Sequence, residues 1–152
     1  ADWATYNDPD GRFTLRYPPS WFLQDGGTFE FRQPGEVTTI LSTFEPGTVG
    51  PRFPRNSMKV DLIVWLFSPS PGSDCQSPPE GAAPTLLGDA SGWATVQSFA
   101  PSYDASASGV TRGHQVVAFR NGYCFSLTAY FAQDDPDEIT FLQMVNSFRF
   151  TE

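Results

Sequence analysis

The clearest pattern along the chain is an alternation of apolar and polar positions, longest on either side of Asn121-Gly122. Val110 to Arg120 and Tyr123 to Gln133 are rich in β-branched and aromatic residues. An Asn-Gly pair between two such runs predicts a two-residue type I′ turn, because both central residues of that turn need positive φ. The turn sets a register: Arg120 opposite Tyr123, Phe119 opposite Cys124, Val117 opposite Ser126. Side chains alternate across a strand. One face of the hairpin therefore carries His114, Val116, Ala118, Arg120, Tyr123, Phe125, Leu127, Ala129 and Phe131 and should meet the main core. The other carries Gln115, Val117, Phe119, Cys124, Ser126, Thr128 and Tyr130 and should be partly wet or covered by a loop.

The period changes after the hairpin. Asp135-Pro136-Asp137-Glu138 reads as a helix start, with Asp135 as N-cap, Pro136 in the first position and Glu138 closing a capping-box-like pair. A helix is predicted from Pro136 to about Ser147. Its broad apolar face would be Ile139, Leu142, Val145 and Phe148, widened by Phe141 and Met144, with Thr140, Gln143 and Ser147 opposite. Phe148-Arg149-Phe150 alternates again and should return to a sheet.

Shorter alternating runs precede this unit. Trp3–Tyr6, Arg12–Tyr17, Thr28–Arg32, Val37–Phe44 and Gly92–Phe99 predict strands of an antiparallel meander with one buried face. Lys59 to Phe67 is apolar on both parities and predicts a central strand covered on both sides. A short helix is the alternative, disfavoured by the β-branched and aromatic content. Residues 46–57 and 68–91 are punctuated by proline and read as loops. The second is long enough to be either functional or mobile.

Composition narrows the picture. A chain of 152 residues fits one domain, and 14 phenylalanines with only 17% charged residues fit a packed, β-rich one. The net charge of −8 excludes non-specific binding to nucleic acid, which needs a basic surface. No apolar run approaches the ~18 residues of a spanning helix, so no transmembrane segment is expected in this chain. No signal peptide is in view, which leaves room for a leader or a lipid-anchored segment upstream of Ala1. The two cysteines, Cys75 in the long loop and Cys124 in the hairpin, are too far apart in sequence for a CxxC motif. A disulfide between them is the preferred reading and would place the domain outside the cytosol. Two free thiols in a reduced compartment is the alternative.

Catalytic signatures are missing. HExxH, P-loop, GxGxxG and GxSxG patterns do not occur. The single histidine, His114, falls on the opposite hairpin face from Cys124, which argues against a Cys-His pair and for a structural role. Asp134, Asp135, Asp137 and Glu138 are weak candidates for a hard cation, but acidic residues in a first helical turn are better explained by the dipole and the free N–H groups. Asp8 and Asp10 resemble the start of a calcium loop, yet Arg12 and Phe13 stand where that loop needs a ligand and a glycine, so turn chemistry is preferred. Arg52 and Arg55 form an isolated basic pair. Trp3, Trp21, Trp65 and Trp93 are candidates for a ligand groove, against the commoner role of packing. No cofactor and no catalytic residue is assigned.

The chain resembles the PsbP-like fold family. The resemblance is carried by Tyr6, by Asp10-Gly11-Arg12-Phe13-Thr14-Leu15-Arg16-Tyr17-Pro18 and Trp21, and by Gly122-Tyr123-Cys124-Phe125-Ser126-Leu127-Thr128-Ala129, Phe141 and Asn146-Ser147-Phe148-Arg149-Phe150. It covers both ends of the chain and not residues 45–91. It implies an α+β fold, an antiparallel sheet flanked by helices as an α/β/α sandwich, with no catalytic residues to carry over. The expectation is thus a single-domain, non-enzymatic binding or accessory module. It would be secreted or lipid-anchored at a bacterial membrane, with a protein or small-molecule partner of unknown identity. A carboxylate-based hydrolase and a photosystem-associated accessory protein are the alternatives.

Overall fold

The computed structural model describes residues 2–24, 37–45, 54–70, 74–98, 110–133 and 136–151. The Asn121-Gly122 turn forms as predicted, with φ of 52° and 83°. It joins β8 (Arg112–Arg120) to β9 (Tyr123–Ala132), and Arg120, Phe119 and Val117 lie opposite Tyr123, Cys124 and Ser126. The predicted core face is buried where expected: Val116, Ala118, Phe125, Leu127, Ala129 and Phe131 are all withdrawn from solvent.

Around this hairpin a seven-stranded antiparallel sheet is built in the order β3-β4-β5-β9-β8-β7-β6. The strands are β3 (Phe22–Gln24), β4 (Val37–Ser42), β5 (Ser57–Leu66), β6 (Ala83–Leu87) and β7 (Ala90–Ser98) with the hairpin. The ambiguous Lys59–Phe67 run is strand β5, paired along its length with β9 and flanked on the other side by β4. The predicted strand over Thr28–Arg32 lies outside the described residues.

A second, smaller sheet has the order β1-β2-β10, from β1 (Ala4–Asn7), β2 (Phe13–Tyr17) and β10 (Arg149–Phe150). It shares one layer of packing with helix α1 (Glu138–Ser147). Both meet the inner face of the large sheet in one core. Phe13 of β2 stacks on Phe148 with ring centroids 4.9 Å apart, and Phe125 of β9 stands edge-on to Phe148 and Phe150. Tyr6 OH lies 3.0 Å from the buried Thr39 Oγ1, so these two hydroxyls satisfy each other across the core.

The expected α+β sandwich with flanking helices is not what forms. The fold is mainly antiparallel β, in two sheets, with one helix among the described residues. The reason is local. Only the Glu138–Ser147 stretch combines a cap, good helix formers and a 3.6-residue period. The segment expected to be loop throughout, residues 68–91, contributes strand β6, turned back at Gly88-Asp89 with Gly88 at φ 60°.

The helix also starts later and faces elsewhere than predicted. Asp137, not Asp135, is the N-cap: its carboxylate accepts from Thr140 N at 3.2 Å and from Thr140 Oγ1 at 2.6 Å. Gln133 Oε1 accepts from the Asp137 N–H. The buried positions are Phe141, Met144, Val145 and Phe148, whereas Ile139 is 71% and Leu142 43% exposed. Packing on Phe13 and the small sheet selects Phe148 and the residues one turn and two turns before it.

This assignment sets a mutational contrast. Phe148→Ala is expected to cost about 3–5 kcal/mol in urea denaturation, as for other buried phenylalanines. Ile139→Ala is expected to stay within roughly 0.5 kcal/mol, as an exposed substitution does. Equal losses at the two positions would reject the helix orientation.

Candidate binding groove beside the disulfide

The outer face of the large sheet, away from the core, is laid out by the same register. Rows of side chains cross it from strand to strand. One row is Ile63, Ser126, Val117, Trp93 and Pro84; the next is Asp61, Thr128, Gln115 and Thr95. The face is therefore apolar and aromatic toward the Asn121-Gly122 end and polar toward the other.

At the aromatic end Cys75 and Cys124 are joined, with Cα atoms 6.0 Å apart and a sequence separation of 49. Both cysteines and Val117 are buried together, with Trp65, Phe67, Trp93 and Phe119 packed around them. The disulfide thus draws the proline-rich segment down onto the outer face. Trp93 Nε1 donates to Cys75 O at 2.8 Å, which fixes the indole against the same segment. Phe67 and Phe119 meet edge-to-face at 5.3 Å.

Between this tethered segment and the β6–β7 hairpin lies an open groove of about 410 Å³. Trp93, Phe119, Pro78, Pro84, Ala82 and Ala83 line it, and Gln76 and Ser91 supply polar groups. Its size and its mainly apolar lining with a few polar groups are those of a small-ligand site. The floor depends on Gly92: a Cβ there would sit 1.9 Å from the Val117 carbonyl oxygen, so no other residue lets β7 and β8 approach this closely. Of the groove residues, Trp93 and the cysteines were legible in sequence. Ser91, Pro84, Ala82 and Ala83 were not, because they sit in or beside strand β6, where a loop was expected.

At the polar end Asp61 is largely buried, and Lys59 Nζ lies 3.2 Å from its Oδ1. Burial pushes the Asp61 carboxyl above its ordinary value, and the Lys59 charge only partly opposes this. Lys59 also lies over the Tyr130 ring at 5.3 Å. Burial, with the Asp61 charge behind it, raises the Tyr130 phenol.

The other sequence candidates have structural employment. His114 is on the core side, with Nδ1 3.1 Å from Glu138 Oε2 and its ring 5.0 Å from Phe141. Arg112 Nε lies 2.8 Å from Glu138 Oε1. Glu138 therefore anchors the helix start to β8, and Asp137 caps it. Asp134 and Asp135 lie outside the described residues. Among the described residues no group of three or more His, Cys, Asp or Glu side chains is placed to hold a metal ion. Asp8 accepts from Arg12 N at 3.0 Å and from Arg12 Nε at 2.7 Å, and Asp10 faces the same guanidinium. The first turn is thus held by a part-buried ion pair. Arg52 lies outside the described residues. No helix among those residues is long and apolar enough to cross a membrane.

No family profile and no curated protein matches the chain. Its fold is similar to a crystal structure from Bacteroides thetaiotaomicron VPI-5482 solved at 1.50 Å, with a TM-score of 0.57 and 11% identity. The match covers 97% of this chain and 48% of that one, so the chain spans about half the length of that protein. At this identity the likeness concerns the fold alone.

Two outcomes test the geometry. Denatured, unreduced protein should show no titratable thiol, and replacing both cysteines by alanine should lower unfolding stability by about 4 kcal/mol through loss of the closed loop. The stability difference between wild type and Asp61→Asn should move against the wild type as pH rises from about 4 through the raised Asp61 range, because the folded state holds that proton more tightly than the unfolded chain does. Matched denaturation curves across pH measure this slope, and a difference that moves the other way would show Asp61 to be stabilised as the anion.

Proposed function

We propose that the chain is a non-catalytic binding or accessory module that works outside the cytosol, secreted or carried on a lipid anchor at a bacterial membrane. The groove beside the disulfide is its ligand seat. One observation carries the reading: the groove is built in advance. Its outer wall is tied to the sheet by Cys75–Cys124, and the Trp93 ring is held by the Cys75 carbonyl. Preorganised walls spare a ligand the cost of ordering them. A disulfide of this kind belongs with oxidising compartments. Kinship with the PsbP-like family is part of the same proposal, supported by the alternating strand after Gly11 and the Ser147-Phe148 ending.

Titration with a neutral, environment-sensitive fluorophore such as N-phenyl-1-naphthylamine tests the seat. Saturable binding is expected, weakened about tenfold or more by Trp93→Ala, the equivalent of ~1.4 kcal/mol. Non-saturable uptake, or binding that Trp93→Ala leaves unchanged, would overturn the assignment.

A further inference from the structure

Strand β7 carries two hollows on one face. Ser91 and Trp93 line the groove already described, and Thr95 and Gln97 line a second, smaller hollow of about 130 Å³. The neighbouring strand repeats the division, with Phe119 at the first hollow and Gln115 at the second. Between them Val117 alone intervenes on β8, buried under the disulfide. The two hollows thus follow one line along the sheet, and Ser91 to Gln97 spans roughly 20 Å at ~3.3 Å per residue.

The chemistry changes along that line. The first hollow offers ring faces with an amide and a hydroxyl, from Gln76 and Ser91. The second offers hydroxyls and amides from Thr95, Gln97, Gln115 and Thr128, with the phenol of Tyr130, and is also lined by His114, whose Nδ1 faces Glu138. Hydroxyls and carboxamides both donate and accept. Among the described residues no lysine or arginine lines either hollow, and the nearest cation, Lys59 over the Tyr130 ring, is paired with Asp61; with a net charge of −8 the face favours a neutral ligand over an anion. An extended peptide would need a free strand edge to pair with, and beside Ser91 and Trp93 the β7 backbone is taken by β6 and β8. The ligand that fits is neutral, about 20 Å long, presents C–H faces to aromatic rings and bears many hydroxyls.

We infer that the outer face of β7 and β8 binds a neutral oligosaccharide, one unit against Trp93 and the distal units on the Thr95–Gln115–Thr128 row. The inference rests on the binding-module reading and supplies its ligand class. Alternating hydroxyls and apolar ring faces of a sugar match hydroxyl and amide groups that take either role and an aromatic face whose π-cloud attracts C–H groups.

Calorimetry and affinity electrophoresis with a panel of neutral α- and β-linked tetrasaccharides, their disaccharides and uronic-acid counterparts test this. At least one neutral tetrasaccharide should bind saturably and more tightly than its disaccharide. Trp93→Ala and, separately, the isosteric pair Thr95→Val with Gln115→Leu should each weaken it about tenfold or more, the latter because hydrogen-bonding groups of the sugar are left unpaired. The unfolding midpoint and the retained fluorophore seat show that the Thr95/Gln115 variant is folded. Failure of every neutral tetrasaccharide, preference for the uronic acids, or indifference to the Thr95/Gln115 pair would overturn the inference. Saturable fluorophore binding alongside such a failure leaves the groove standing and removes only the sugar.

Discussion

Everything in this molecule depends on the parity set by the two-residue turn at Asn121-Gly122. With both residues in the left-handed region, Arg120 must face Tyr123, and every pair below them follows. A slip of one residue would bring Gln115, Ser126 and Thr128 into the core and expel Val116, Leu127 and Phe125. The same parity puts Cys124 on the outer face, the only side from which the segment around Cys75 can be captured. Core and groove are thus two readings of one register.

The core face is satisfied by a composite layer. A small sheet and one helix share the work that two helices do in a sandwich, and aromatic rings join them. Phe13, Phe148, Phe150 and Phe125 come from both sheets and from the end of the helix, and they touch one another in stacked and edge-on pairs. Large flat side chains suit this junction because they bridge elements that meet at different angles. Polar anchors fix the rim: Arg16 N donates to Ser147 Oγ, and Glu138 meets Arg112 and His114. His114, Asp137 and Glu138, which have the look of chemistry in sequence, help to hold this layer in place.

The outer face has a different logic. Its apolar end is covered by a covalently tethered segment that carries few apolar anchors of its own. Its polar end retains a largely buried carboxylate beside a lysine. Enclosing Asp61 works against folding and is only partly offset by Lys59. Asp61 stands in the same cross-strand row as Thr128, Gln115 and Thr95.

Features that depend on neighbours along the chain are legible in the sequence: the hairpin turn, its register, the inward and outward residue sets, the central strand at Lys59–Phe67 and the candidate pairing of two cysteines. Turn chemistry and side-chain alternation are local, so they can be read without partners. Tertiary structure decided the rest. It moved the helix cap from Asp135 to Asp137, exposed Ile139 and Leu142, and made a strand of Ala83–Leu87 in spite of its proline, as the terminal strand of the sheet. It replaced the expected helical layers with a second sheet. Each of these turns on which surfaces meet, and a helix with six apolar positions in sequence cannot show which four of them the opposing layer will cover. The groove is the extreme case, because its walls come from distant segments brought together by β6 pairing and one disulfide.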